Sequence, residues 1–139
     1  MYELDMVNRV CEHLKSQGLS VVTEVPFMQQ SIDMVFERED KLFAIEFKVG
    51  NWKRALEQAS NHFVGTDEVY ICIPKPKNGI TQKLIDAINT TNIGLLLFDD
   101  NNDTLIETVY PASYNREVWK VGNTWLRMAF DNRMHGVWA

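Results

Sequence analysis

The sequence predicts a single α/β domain in which a mixed β-sheet, containing a three-stranded meander, is flanked by helices. Strand-like alternation dominates residues 19–49, whereas strand and helix patterns alternate after that segment. The runs 68–74 and 93–99 are almost continuously apolar, as in strands buried on both faces. Strands joined by helices are usually parallel and hairpin strands are antiparallel, so we expect the sheet to contain both.

The first part of the chain is expected to form a helix followed by the meander. Residues 2–17 are predicted to be helical, and Gly18 provides the signal that ends this helix. Its apolar residues at helical spacing are Leu4, Val7, Val10, Cys11 and Leu14. The three strands are predicted at 19–26, 31–36 and 44–49.

Helices and strands alternate in the rest of the chain. Asn51 is a suitable N-cap for a second helix. The apolar stripe of that helix consists of Trp52, Ala55, Leu56, Ala59 and Phe63. The later elements are predicted as a strand at 68–74, a helix at 81–91, strands at 93–99 and 104–110, and a helix near 123–134.

The hairpin between the second and third strands places two carboxylates opposite each other. If the polar turn centres on Glu39 and Asp40, Phe36 pairs with Phe43 and Asp33 pairs with Glu46. Two carboxylates facing each other across a sheet repel, so this pairing favours a divalent cation between them. Alternation along the third strand also predicts that Glu46 and Lys48 share one face.

Composition restricts the location and the class of partner. No segment is long and apolar enough to span a bilayer, and no targeting peptide is visible, so we expect a cytoplasmic protein. Cys11 and Cys72 lie on apolar stretches and are predicted to be buried thiols. The net charge of −5 argues against non-specific coating of nucleic acid, although residues 113–139 carry four basic and two acidic side chains.

These residues resemble the PD-(D/E)xK, or restriction-endonuclease-like, superfamily of metal-dependent nucleases, over roughly residues 1–98. Asp33 stands at the position of the first metal-binding Asp of the family, and Glu46-Phe47-Lys48 stands at the ExK motif. Gln58 and Glu3 match a glutamine and a glutamate that members carry on the second and first helices. The resemblance implies a restriction-endonuclease-like core, although no proline precedes Asp33 in this chain.

The chemistry expected of such a site is phosphodiester hydrolysis with Mg²⁺ or Mn²⁺. Asp33 and Glu46 would hold the cation, with the backbone carbonyl of Phe47 as a third ligand. Lys48 would orient or deprotonate the attacking water and place positive charge beside the scissile phosphate. Glu3 would hold a second metal or its waters.

The function predicted from the sequence is therefore that of a metal-dependent endonuclease that cleaves DNA. Two alternatives stay open. One is a structure-specific resolvase of the Holliday-junction type, which would need a symmetric dimer. The other is a non-catalytic module that binds nucleic acid or protein and retains the nuclease fold. An isolated Glu-x-Lys on a strand is also common as an ordinary solvated ion pair.

Four basic residues are candidates for phosphate contacts: Lys53, Arg54, Lys75 and Lys77. Ordinary solubilising charge explains each of them equally well. The three histidines lack the spacing of metal ligands and are expected at the surface: His13, His62 and His135.

Residues 113–139 are predicted to form an aromatic and basic extension of a nuclease-like domain spanning 1–112. The aromatic residues of the extension are Tyr114, Trp119, Trp125, Phe130 and Trp138. So large an apolar content is costly to leave in water. We therefore expect the extension to pack on the domain or on a second subunit, which makes a homodimer a candidate assembly.

Overall fold

The computed structural model of the chain describes residues 2–136. The elements are α1 (Glu3–Ser16), β1 (Ser20–Phe27), β2 (Gln30–Arg38), β3 (Lys41–Phe47), α2 (Trp52–His62), a 3₁₀ turn (Phe63–Gly65), β4 (Glu68–Pro74), α3 (Gln82–Asn89), β5 (Gly94–Phe98), β6 (Ile106–Tyr110) and α4 (Lys120–Met134).

The six strands form one mixed sheet in the order β1-β2-β3-β4-β5-β6. The first three strands form the antiparallel meander, β3, β4 and β5 run parallel, and β6 returns antiparallel at the far edge. The predicted α/β fold with a mixed sheet is confirmed. The helical connections α2 and α3 make the parallel half, as expected of strands joined by helices.

Helices cover the two faces of the sheet unequally. On one face α1 packs its buried residues, such as Met6 and Val10, against Ile45 and Phe47 of β3. On the other face the core includes Ala55 of α2, Leu84 of α3 and residues of α4. The end of β3 therefore lies between α1 on one side and α2 on the other.

Tight turns fix the register of the meander. Glu39 and Asp40 adopt φ values of 53° and 65°, in the left-handed region used by two-residue hairpin turns. Phe36 pairs with Phe43 across the hairpin, as predicted, and their rings stack with centroids 4.9 Å apart. The same register directs Asp33 towards Glu46.

Several local predictions require correction. Leu4 is 63% exposed, and Met6 takes a buried position of α1 in its place. Asn51 occupies the N-cap position of α2, but its side chain makes no capping hydrogen bond. The strand predicted to reach residue 49 ends at Phe47. Cys11 and Cys72 are free and buried, as predicted.

The C-terminal helix packs on the chain's own sheet. Leu126 and Phe130 of α4 are buried in the same core as Val22 of β1. Arg127 binds the carboxylate of Glu37 and donates to the backbone carbonyl of Asp40 at 2.9 Å. Arg133 donates to the carbonyl of Thr23 at 2.8 Å. The helix is thus tied to β1 and to the hairpin between β2 and β3.

The other aromatic residues of this segment are less buried than their apolar character predicts. Trp125 is 50% exposed, and Trp119 packs against it edge to face at 5.1 Å. Trp138 lies outside the described residues. No helix in residues 2–136 is long and apolar enough to cross a membrane.

Candidate active site

The candidate site lies where β2 begins to pair with β3 and where β3 ends. The backbone pairing of these strands stops at Met34 and Ile45, one position before Asp33 and Glu46. The carboxyl groups of Asp33 and Glu46 lie close enough for the charge of Glu46 to raise the pKa of Asp33. The backbone N–H of Phe47 donates to Asp33 Oδ2 at 2.8 Å, which fixes the second carboxylate oxygen.

A local break in the meander creates this position. The ladder between β1 and β2 skips the pair formed by Glu24 and Asp33, and Glu24 has a φ of 52°. Ile32 and Val35, on either side of the break, both enter the core on the α2 face. A regular strand would place residues three apart on opposite faces. The strand therefore bends at the aspartate of the site.

Burial makes the carboxylate pair electrostatically unfavourable. Desolvation raises the pKa of Asp33 to about 7, and the adjacent charge of Glu46 adds to the effect. Desolvation also raises the pKa of Glu46 to about 7, although its contact with Asp33 opposes the rise. Two such groups at this separation do not both ionise readily, so the pair retains a proton near neutral pH.

His62 also contacts the candidate site, although the sequence predicted it at the surface. Its Nε2 lies 2.8 Å from Glu46 Oε1, and both side chains are only 2% exposed. The prediction of a surface histidine is therefore wrong for His62, whereas His135 is exposed. The spacing of Ala55, Ala59 and His62 places all three on the buried face of α2, and this pattern could have identified the residue.

Lys48 and Glu3 meet on the α1 side of the same strand end. Lys48 Nζ lies 3.4 Å from Glu3 Oε1, which also accepts a hydrogen bond from the Val49 N–H at 3.0 Å. The negative charge of Glu3 acts on Asp33 as well. Glu46, however, contacts α2, so Glu46 and Lys48 touch helices on opposite faces of the sheet. This differs from the predicted shared face, because regular alternation stops where β3 ends.

Gln58 lies near the site without joining the carboxylates. It lines a polar cavity of about 460 Å³ together with Arg54 and His62. On the other side of the sheet, Glu3, Asp33 and Phe47 line a second cavity of about 220 Å³. Asp33 thus faces the cavity lined by α1, whereas the cavity lined by α2 includes His62, the residue that contacts Glu46.

The proposed phosphate contacts lie near the edge of the sheet where β3 and β4 end. Lys53 is exposed beside Lys83 of α3, which lowers the pKa of Lys53 through hydrogen bonding and charge repulsion. Lys77 is exposed in the loop after β4. Lys75 in the same loop lies 3.7 Å from the carboxylate of Asp99, so part of its charge is already compensated.

The chemistry of the site fits a hard divalent cation with few protein ligands. Residues 2–136 contain no group of three or more His, Cys, Asp and Glu side chains that could enclose a metal. Mg²⁺ is commonly held by one or two carboxylates and keeps several waters. Glu46 Oε1 is a buried oxygen that lacks an aligned hydrogen bond in the described part of the chain. A cation beside it would satisfy this oxygen and relieve the repulsion.

No protein-family model and no curated protein matches the chain. Its fold is similar to that of a protein of unknown function from Silicibacter pomeroyi, with a TM-score of 0.70, 17% identity and coverage of 98% of this chain and 88% of that one. An fdxN element excision controlling factor from Anabaena variabilis gives a TM-score of 0.51 at 19% identity, covering 76% and 98%.

An XisH family protein from Nostoc punctiforme gives a TM-score of 0.50 at 17% identity, covering 73% of this chain and 96% of that one. At these identities the likeness shows a shared fold.

Proposed function

We propose that the chain is a metal-dependent nuclease of the restriction-endonuclease-like superfamily that hydrolyses DNA phosphodiester bonds. One observation carries the proposal: a buried carboxyl group, that of Glu46, and a half-buried one, that of Asp33, lie together where β3 ends, and Lys48 follows two residues later in the chain. A domain that needed only stability would gain by replacing such a pair with apolar side chains. A divalent cation bound between the two carboxylates would offset their repulsion and account for the pair.

Asp33 and Glu46 would hold Mg²⁺ or Mn²⁺, and the backbone carbonyl of Phe47 is the third candidate ligand. When bound, the cation supplies positive charge for the phosphate and lowers the pKa of a water molecule. The hydrogen bond from the Phe47 N–H fixes Asp33 Oδ2, so the ligand geometry is set by the backbone of β3. This arrangement orders the ligands before a substrate binds.

Lys48 is the residue that acts on the reacting groups. Its ammonium can donate hydrogen bonds to the attacking water and to a phosphate oxygen on which negative charge develops. Glu3, 3.4 Å away, orients the ammonium. Glu3 is thereby assigned to hold Lys48, in addition to the role of metal or water ligand expected from the sequence.

The substrate is proposed to follow the edge where the parallel strands end. Lys53, Lys77 and Lys83 supply exposed positive charge there, and Arg54 adds a guanidinium in the cavity that reaches His62. Such contacts with phosphates give affinity without reading sequence. The net charge of −5 limits this attraction, so we expect weak and salt-sensitive DNA binding.

The proposal is tested by incubating the purified protein with linear, nicked, single-stranded and branched DNA in Mg²⁺, in Mn²⁺ and in chelator. We expect cleavage that depends on the metal and that Asp33→Asn abolishes. Glu107→Gln, which removes an exposed carboxylate from β6, is the matched control and should cleave as the wild type does. Absence of cleavage of every substrate, or equal cleavage by Asp33→Asn, would overturn the proposal.

A further inference from the structure

We infer that His62 is a positioning residue that sets the orientation of the Glu46 carboxylate for metal binding. The inference rests on the proposed function, because it assigns a role within the same site. It adds a residue from α2 to a set of site residues otherwise taken from α1, β2 and the end of β3. The predicted family motif does not include it.

The contact between the two side chains is short and sealed from solvent. His62 Nε2 is 2.8 Å from Glu46 Oε1, and each side chain is 2% exposed. His62 is the last residue of α2, and its backbone carbonyl accepts a hydrogen bond from Thr66 Oγ1 at 2.9 Å. The helix end is therefore held in place by the chain that follows it. The imidazole approaches Glu46 from a fixed support.

Glu46 needs such a support at Oε1, because its polar contacts with Asp33 leave that oxygen without an aligned hydrogen bond in the described part of the chain. The Phe47 N–H is used by Asp33, and Glu46 Oε1 has no aligned hydrogen bond among residues 2–136. His62 Nε2 is at hydrogen-bond distance from Glu46 Oε1, but the imidazole is not well aligned with that oxygen. Hydrogen bonds in sites of this kind often align only when the ligand is bound. A small rotation of the carboxylate upon binding a cation would align Oε1 with the imidazole.

The histidine is better suited to position Glu46 than to bind the cation or to fill the core. In the described structure, Asp33, Glu46 and His62 are not arranged as a three-ligand metal site. Burying an imidazole in a core costs more than burying an aliphatic side chain, unless the ring makes a specific polar contact. The polar contact of His62 is with the carboxylate of Glu46, the proposed metal ligand. Partners that hydrogen-bond a ligating carboxylate orient it and raise metal affinity.

Three substitutions separate this role from a merely structural one. His62→Gln can place an amide nitrogen near the position of Nε2, His62→Asn places one near Nδ1, and His62→Leu removes the polar contact but fills the space. We expect Mn²⁺ affinity, measured by titration calorimetry, to fall about ten- to a hundred-fold in the Leu and Asn variants. The Gln variant should restore most of it. His13→Leu, on α1, is the matched control and should bind Mn²⁺ normally.

Melting temperatures of the metal-free proteins identify any variant that fails to fold. Wild-type Mn²⁺ affinity in folded His62→Leu, or an equal loss of affinity in the folded Gln and Leu variants, would overturn the inference.

A metal-free readout keeps the inference separate from the proposed function. In crystal structures without metal, the Glu46 carboxylate should be displaced in His62→Leu and retained in His62→Gln. An unchanged Glu46 in both variants would overturn the positioning role whether or not the wild type binds metal. Failure of the proposed function would instead show as absence of Mn²⁺ binding in the wild type itself.

Discussion

Asp33 and Glu46 illustrate how a site can be recognised from two residues and a turn. The position of the hairpin turn predicts their pairing, because each residue of β2 then has one partner in β3. Sequence spacing could not show that Glu46 is buried and Asp33 half-buried, or that His62 contacts Glu46. Those properties depend on α2, which packs over the strand only in the folded chain. The burial of charge at the site is thus the property that could be recognised only from the tertiary structure.

The carboxylate pair should make the metal-free protein less stable as pH rises. Both pKa values are raised to about 7 in the folded state, whereas unfolded carboxylates titrate near 4. Between these values each folded carboxyl group binds a proton that the unfolded chain lacks, so stability falls as pH rises towards 7. In chelator, we expect the free energy of unfolding to fall by on the order of 2 kcal/mol for each group between pH 5 and pH 8.

Thermal melts of wild type, Glu46→Gln and Glu107→Gln measure this effect. The neutral isostere at position 46 should flatten the decline and raise the melting temperature at pH 8. The surface control should retain the wild-type slope. A wild-type melting temperature that rises steadily from pH 5 to pH 8 would show that the pair is not strained in the folded state.

Lys48→Ala should separate metal binding from cleavage. The ammonium makes an ion pair with Glu3, and a protonated lysine cannot bind the cation. We expect cleavage to fall by about a hundred-fold or more, as for other groups that stabilise developing charge. Mn²⁺ affinity should stay close to that of the wild type. Lys15→Ala, at the exposed end of α1, is the control, and near-normal cleavage by Lys48→Ala would reduce Lys48 to a surface charge.

The bounds of helices and strands with a strong hydrophobic pattern were predictable from the sequence. The bounds of elements that depend on long-range packing were less so. The continuous apolar run at 68–74 predicts the observed bounds of β4, Glu68–Pro74, because both faces of this strand are buried. The bend at Glu24 could not be predicted from the residue types, because the positive φ of this glutamate is imposed by the geometry of the strand. The start of α4 at Lys120 was also missed, because Trp119 and Trp125 stay partly exposed and obscure the helical stripe.

The two faces of α4 should differ sharply in their contribution to stability. Phe130 is 2% exposed in the core, whereas Trp125 is 50% exposed on the opposite side. Phe130→Ala should lower the free energy of unfolding by about 3–5 kcal/mol, because it leaves a cavity beneath the sheet. Trp125→Ala should cost about 1 kcal/mol, mainly through its edge contact with Trp119. Denaturant unfolding of the two variants checks this, and similar losses in both would contradict the packing of α4.

The whole molecule presents an apolar stripe that suggests self-association. Val121, Trp125 and Met128 follow one another along the exposed face of α4 at helical spacing. We predict a homodimer formed through this helix, because a two-fold axis would bury the stripe against its own copy. Sedimentation velocity of the full chain should show a concentration-dependent dimer that Trp125→Glu dissociates. A wild-type monomer at all concentrations, or a dimer unaffected by Trp125→Glu, would contradict the assignment.

The central claim is that a divalent cation binds between Asp33 and Glu46. Titration calorimetry with Mn²⁺ at pH 8 tests it directly, with wild type, Asp33→Asn, Glu46→Gln and the control Glu107→Gln. We predict binding to the wild type and to the control, and loss of binding in both site variants, since each removes a charged ligand without leaving a cavity. The melting temperature of the wild type should rise with Mn²⁺, because the cation binds only the folded state. Equal Mn²⁺ affinity in all four proteins, or no binding to the wild type, would contradict the account.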